Sequence, residues 1–211
     1  MTESNGILTS LRSLVPNRRL SFNEALRLAE LQANRLLELQ GIAGPDVPNQ
    51  VITELPRIVV AAERDLPISG STHWRAGRWV ITLNADEPVV RQRFSLAHEF
   101  KHVLDHTTKN RLYGDIEHDE EAAEQAERAA DHFAACLLMP KRWLKHQWFA
   151  GGQQLSRVAG TLGVSSRALS LRLWHLGLVG DTPRCARVSQ PLVDQPRTYF
   201  RYTPLPMEIA A

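Results

Sequence analysis

A chain of 211 residues with 43% hydrophobic side chains is long enough for one core of ordinary size and a small appendage. A formal net charge of +2 supplies no global field to gather nucleic acid or an anionic membrane, so any basic contact surface has to be local. The start, MTESNGILTSLRSLVPNRRL, has no apolar leader core, and no later run reaches the roughly 20 apolar residues that cross a bilayer, so a cytoplasmic protein without a membrane partner is expected.

Residues 1–18 show no sustained pattern and are expected to form a flexible N-terminus. SFNEALRLAELQANRLLELQG then places Ser21 and Glu24 at capping-box spacing and repeats Leu and Ala at helical intervals until Gly41; this amphipathic helix is expected to cover a sheet. RIVVAAE and GRWVITLN read as short strands joined by the turn-rich RDLPISGSTHWRA, an antiparallel pair or part of a three-stranded sheet in which Trp74 and Trp79 pack on the strands or line a cleft. Residues 87–106 turn helical after a Glu-Pro pair, and an acidic connector leads into an alanine-rich helix near 119–139 that Pro140 stops. Gly151 and Gly152 mark a boundary, after which QQLSRVAGTLGVSSRALSLRLWHLGL reads as a compact helical segment and residues 181–211 as an irregular, proline-rich tail. Cys136 and Cys185 lie far apart without paired spacing, so two unpaired thiols are expected.

The stretch RFSLAHEFKHVLDH carries the chemistry. His98 and His102 are four apart, so on a helix their rings project from one face a turn apart and can share an ion. With Glu99 between them this is HExxH: two neutral imidazoles for zinc and a carboxylate to take a proton from a polarised water. A third protein ligand is needed. A metzincin continuation is excluded, because Asp105 and Thr108 stand where glycine and histidine are required. His106 is eight residues from His98, about 12 Å along a helix and too far for one ion to bond both. The remaining source is a carboxylate from the second helix: Glu117, Glu120, Glu121, Glu124 or Glu127. Glu127 is favoured because Asp131 lies four residues on, on the same face, where it can accept the N–H of a liganding histidine; Glu124, one turn earlier, is the rival.

RQRFSLAHEFKHVLDH followed by ERAADHFAACLLMP resembles the ImmA/IrrE family of bacterial zinc metallopeptidases, whose pattern is RFTLAHELGH and then ExxAxxFAxxLLMP; the likeness covers about residues 20–145. The resemblance implies a gluzincin-like site in which His98, His102 and Glu127 bind zinc and Glu99 is the catalytic base, and substrates that are repressors of the XRE helix-turn-helix type in a stress-response or mobile-element switch. One departure is clear: the glycine that the family places before the second histidine is Lys101 here. An oxyanion donor would come from Tyr113, His118 or Arg128.

Within LSRVAGTLGVSSRALSLRL, Ala159, Gly163, Val164, Leu169 and Leu173 fall where a helix-turn-helix needs a small residue, a turn glycine and core positions, with Arg167 and Arg172 on or near its second helix as candidate nucleic-acid contacts. The expected fold is therefore α+β: a zincin-like domain at 19–148 with a small three-stranded antiparallel sheet packed on helices, then a helix-turn-helix-like module at 149–180. A metallopeptidase acting on a regulator competes with a non-catalytic metal protein that uses the module to bind DNA or a repressor.

Overall fold

The computed structural model describes residues 4–114 and 119–180. The first helix, α1 (Ser4–Arg12), occupies the segment expected to be flexible. It is anchored at its end: Leu11 is fully buried, and Arg12 donates to the carbonyl oxygens of Val103 (2.7 Å) and Leu104 (3.3 Å). Those carbonyls belong to the last turn of a later helix and have no partner within it, so a guanidinium is a natural cap for them.

Helix α2 (Phe22–Leu39) begins where Ser21 presents both its N–H and its hydroxyl to Glu24 Oε2 at 2.9 Å, and it ends at Gly41 with φ 64°. Its buried side, Ala25, Leu28, Ala29, Gln32, Ala33, Leu36 and Leu37, has the three-four spacing of one helical face. That face lies on another helix rather than on the sheet the sequence suggested. After the short α3 (Gln50–Thr53) come β1 (Ile58–Glu63), β2 (Gly70–Arg75) and β3 (Arg78–Asn84).

The sheet order is β1-β3-β2. β2 and β3 form an antiparallel hairpin closed by Ala76 and Gly77, both at positive φ, the conformation a two-residue turn needs to match strand twist. β1 pairs with β3 in parallel, from Ile58 opposite Trp79 to Glu63 opposite Asn84. The all-antiparallel expectation is thus corrected: the connector between the two evident strands itself holds β2, so the chain passes over before β3 returns beside β1. Trp79, Ile81 and Leu83 alternate into the core from the central strand.

Helix α4 (Val89–Asp105), which carries the HExxH stretch, packs on the sheet and on α6 (Glu120–Leu138), with the short α5 (Lys109–Leu112) between. Asp119 caps α6 by accepting from the N–H groups of Glu121 and Ala122. The small side chains Ala122, Ala126, Ala129 and Ala130 let α6 approach both α2 and α4 closely. α7 (Lys141–Ala150), α8 (Leu155–Leu162) and α9 (Ser166–His175) follow, with α8 and α9 joined through Gly163 at φ 61°.

The helix-turn-helix-like segment is not a separate body. Residues up to Val179 form one compact unit, and Val158, Ala159, Leu162, Val164, Leu169 and Leu173 belong to the same apolar core as α2, α4 and the sheet. Arg93 of α4 ties the turn down by donating to the carbonyls of Leu162 (3.3 Å), Gly163 (3.4 Å) and Val47. Its guanidinium fills the place a Cβ on residue 163 would occupy, so glycine is required there by close approach as well as by backbone angle. No helix among the described residues is long and apolar enough to cross a membrane. The tail at 181–211, with Cys185, lies outside the described residues.

Candidate metal centre

HExxH requires two consecutive turns of one rigid helix, and α4 supplies them with its opposite face buried under Leu96, Phe100, Val103 and Leu104. His98 Nε2 and His102 Nε2 stand 3.1 Å apart. Glu127, brought across by α6, places Oε2 3.2 Å from His98 Nε2 and Oε1 3.4 Å from His102 Nε2. Zinc holds nitrogen and oxygen ligands at about 2.0–2.1 Å, which at tetrahedral angles separates neighbouring donor atoms by about 3.3–3.4 Å. The two imidazole nitrogens and the Glu127 carboxylate, which meets each ring with a different oxygen, already stand at nearly those separations, so the residues fit a tetrahedral divalent ion with one position left for solvent or substrate. Two imidazole nitrogens and a carboxylate turned toward one point also make electrostatic sense around a cation.

The protonation states agree. Burial alone would push His98 down, but Asp131 and Glu127 outweigh it and raise the metal-free imidazole to about 9. Burial acts to raise Glu127, yet His102 and His98 hold it well below the usual carboxylate range. The two carboxylates therefore favour a positive charge at this point. His98 Nδ1 lies 2.9 Å from Asp131 Oδ1; a proton on Nδ1 donated to that carboxylate leaves the Nε2 lone pair facing the centre and fixes the ring.

Glu99 sits beside β2, an edge strand. The Thr72 hydroxyl donates to the Glu99 carbonyl at 3.4 Å, and a Cβ added to Gly70 would come within 3.1 Å of Glu99 Cγ and 3.4 Å of its Oε1. The bare backbone at Gly70 is what leaves room for the Glu99 side chain. Glycine at the start of a strand gave no sign of this in the sequence, because the contact joins residues far apart in the chain.

Other predicted residues are placed as follows. Glu124 is exposed and outside the donor cluster, as are Glu120 and Glu121 in the first turn of α6; Glu117 and His118 lie outside the described residues. The His106 ring meets Trp79 edge-on at 4.8 Å, and Trp79 meets the half-exposed Trp74 at 5.2 Å, so these rings are strand packing with one exposed edge. Tyr113 lines the cleft beside the centre with His102, Asp105 and Glu127, but its hydroxyl donates to Asp105 at 2.6 Å. The Arg128 guanidinium lies over the Phe22 ring, 4.7 Å from its centroid, which directs it away from the role of oxyanion donor. Arg167 is on the surface, whereas Arg172 is 3% exposed and cannot reach a nucleic acid, a correction to its assignment as a contact.

Lys101 neither faces solvent nor crowds the cleft. It is 1% exposed, and its ammonium donates to Asp105 Oδ1 at 2.6 Å and to Gln32 Oε1 at 2.8 Å, while Gln32 Nε2 donates to the Leu11 carbonyl. Lys101 and Asp105 are one turn apart on α4, so the substitution of the family glycine and an acid four residues later form a single buried pair.

These features can be set against known proteins. A peptidase family described as the IrrE N-terminal-like domain matches residues 58–173, more than half of the chain. The chain belongs to this family. No curated protein shows significant similarity. Among solved structures, a Mycobacterium tuberculosis transcriptional regulator is similar over 69% of this chain and 55% of its own, at 14% identity and a TM-score of 0.53. That likeness is one of fold, and this chain spans about half the length of that regulator. The family match runs from β1 through most of α9, so it takes in the helix-turn-helix-like segment as part of the metallopeptidase-type domain, in keeping with the shared core.

Proposed function

We propose that this protein is a zinc-dependent endopeptidase that cleaves a regulatory protein, an XRE-type helix-turn-helix repressor, to release the genes it silences. The observation that carries the reading is the convergence of two imidazole nitrogens and the Glu127 carboxylate at 3.1–3.4 Å, with Glu99 on the same helix turn. Zinc bound there supplies Lewis acidity toward a carbonyl and lowers the pKa of water to about 7. His98, His102 and Glu127 orient that centre, and Asp131 holds the His98 ring. Glu99 takes the proton of the attacking water and returns it to the departing amine nitrogen, a two-way transfer suited to a half-exposed carboxylate. β2, with one side unpaired among the described residues, offers a main-chain ladder on which an extended peptide can lie beside Glu99. A peptide recognised through its backbone fits an exposed segment of a folded regulator better than a small molecule.

Glu99→Gln tests the reading. The variant is expected to retain about one equivalent of zinc at this centre and to lose cleavage of the repressor; cleavage at the original rate would show that the base is misassigned. The competing reading, DNA binding through the α8–α9 segment, loses support from the burial of Arg172 and from the shared core. Proteolysis without salt-dependent DNA retention is the expected behaviour of the purified protein.

A further inference from the structure

A second group of metal-ligand side chains lies outside the peptidase centre. On α6, Cys136 follows His132 by four residues, so thiol and imidazole share a face one turn apart, as the two histidines do on α4. Glu30 of α2 meets them, and one ligand atom from each of the three lies within 4.8 Å of the others. Cys136 is 1% exposed, while His132 and Glu30 are half-buried and open a path to solvent.

The fourth member is Arg172 of α9. Its Nη2 stands 3.9 Å from Glu30 Oε1, and the side chain is 3% exposed, yet among the described residues Nε and Nη2 have no hydrogen-bond partner. Buried guanidinium donors left without partners are costly and ask for a reason. The acid, the imidazole and the thiol around Arg172 constitute a cation-seeking pocket in which a side-chain cation, held by Glu30 and by the Cys136 sulfur, is the present occupant. Burial, reinforced by Arg172 and opposed by Glu30, lowers the His132 pKa and so favours the neutral ring that a metal ligand requires.

We propose that Glu30, His132 and Cys136 form a second divalent-metal site, of borderline-soft preference because one ligand is a thiolate, and that Arg172 fills it when no ion is bound. One sulfur, one nitrogen and one oxygen as donors suit zinc-class ions and disfavour magnesium or calcium, which want oxygen alone. Burial pushes the Cys136 thiol up to about 12, so an entering ion displaces its proton to solvent and bonds the sulfur. The ion also takes Glu30 from Arg172, so occupancy releases the one ionic tie between α9 and α2 seen among the described residues. The site rests on none of the peptidase ligands.

Titration of metal-free, full-length protein with Co2+ tests it. The expected result is two equivalents bound, with a thiolate-to-cobalt charge-transfer band in the near ultraviolet. Cys136→Ser should abolish the band and one equivalent, Cys185→Ser should leave both, and Arg172→Gln should tighten the thiolate site about tenfold by removing its competitor. Glu30→Gln, at a half-exposed position that tolerates the change, should weaken the same equivalent at least tenfold if Cys136→Ser fails to fold. Absence of the band in the wild type, or its persistence in Cys136→Ser, would overturn the proposal. One equivalent with the band would uphold it while sinking the peptidase centre, and one equivalent without the band would do the reverse.

Discussion

Restoring the family glycine at position 101 should damage this protein rather than improve it. Lys101→Met isolates the electrostatic part, because it keeps the side-chain stem and removes the ammonium. Asp105, 4% exposed, then keeps the Tyr113 hydroxyl as its one side-chain hydrogen-bond partner among the described residues, with Arg12 nearby, and Gln32 Oε1 loses its donor. Breaking a buried pair by removing one partner costs about 3–5 kcal/mol, a large part of the roughly 5–15 kcal/mol that holds a domain together. Burial already pushes the Lys101 ammonium below its ordinary pKa, with Asp105 offsetting part of that, so the lower end of the range is expected. At about 2–4 °C per kcal/mol for a chain of this size, the melting temperature should fall by roughly 6–12 °C. Lys101→Gly adds about 1 kcal/mol for glycine inside a helix, and a cavity besides. Urea denaturation gives the measurement. Lys101→Met and Asp105→Leu should each be strongly destabilising and the double variant much less so than their sum, since no buried charge is left over. A loss below about 1 kcal/mol for Lys101→Met at unchanged m-value, or additive single effects, would refute the reasoning.

The remaining predictions concern the centre and the first cap. Asp131→Asn should keep the fold and weaken zinc binding about 10–100-fold, seen by competition with a chelating dye; unchanged affinity would mean that the 2.9 Å contact does not hold the His98 ring. Gly70→Ala presses on Glu99 Cγ at 3.1 Å, so kcat should fall about tenfold with metal content and KM nearly unchanged; a raised KM at constant kcat would place Gly70 in substrate binding instead. Hydrogen bonds from Arg18, and then from Ser21, hold Glu24 at about 2 against 4.5 for the free group. Its folded-state pKa is depressed, so its stabilisation is present above about pH 4.5 and lost as pH falls toward 2. The melting-temperature gap between wild type and Glu24→Gln should close across that window, and a gap constant with pH would exclude the linkage.

The two halves of the centre differed in legibility. His98 and His102 could be paired from spacing alone, because one helix fixes the angle between them. Glu127 required knowing which helix lies against α4, and what pointed to it was a second acid one turn later, Asp131. Patterns within one element were readable: the starts and stops of α2, α4 and α6, the glycine turn of α8 and α9, and the strand alternation of β3. Relations between elements were not. β2 was hidden because GSTHWR is largely polar and lies at a sheet edge with no buried residue, so it has no apolar alternation to betray it. The parallel pairing of β1 followed from that omission. α1 looked patternless because a short helix held by one buried leucine and one capping arginine leaves little periodicity to find. Arg172 resembled a DNA contact for a related reason: a single arginine in an amphipathic helix reads as surface until a neighbouring acid and thiol are seen to cover it.

These relations converge on α4, and the convergence bears on how the centre keeps its shape. One side of the helix presents His98 and His102 to Glu127. The adjoining face of the same side carries the buried Lys101–Asp105 pair, which cannot turn toward solvent without exposing Gln32 and Tyr113 as broken partners. At the N-terminal end Arg93 grips the α8–α9 turn, and at the C-terminal end Arg12 of α1 caps the last carbonyls. Rotation or sliding of α4 would therefore break charge-assisted bonds at both ends and the buried pair in the middle, each worth more than an ordinary surface contact. Ligand atoms that must stay within a few tenths of an ångström of tetrahedral spacing need that restraint. On this view Lys101, which departs from the family pattern, substitutes an ionic lock for the close packing a glycine allows, and the helix-turn-helix-like segment serves as a brace for the helix that carries His98 and His102.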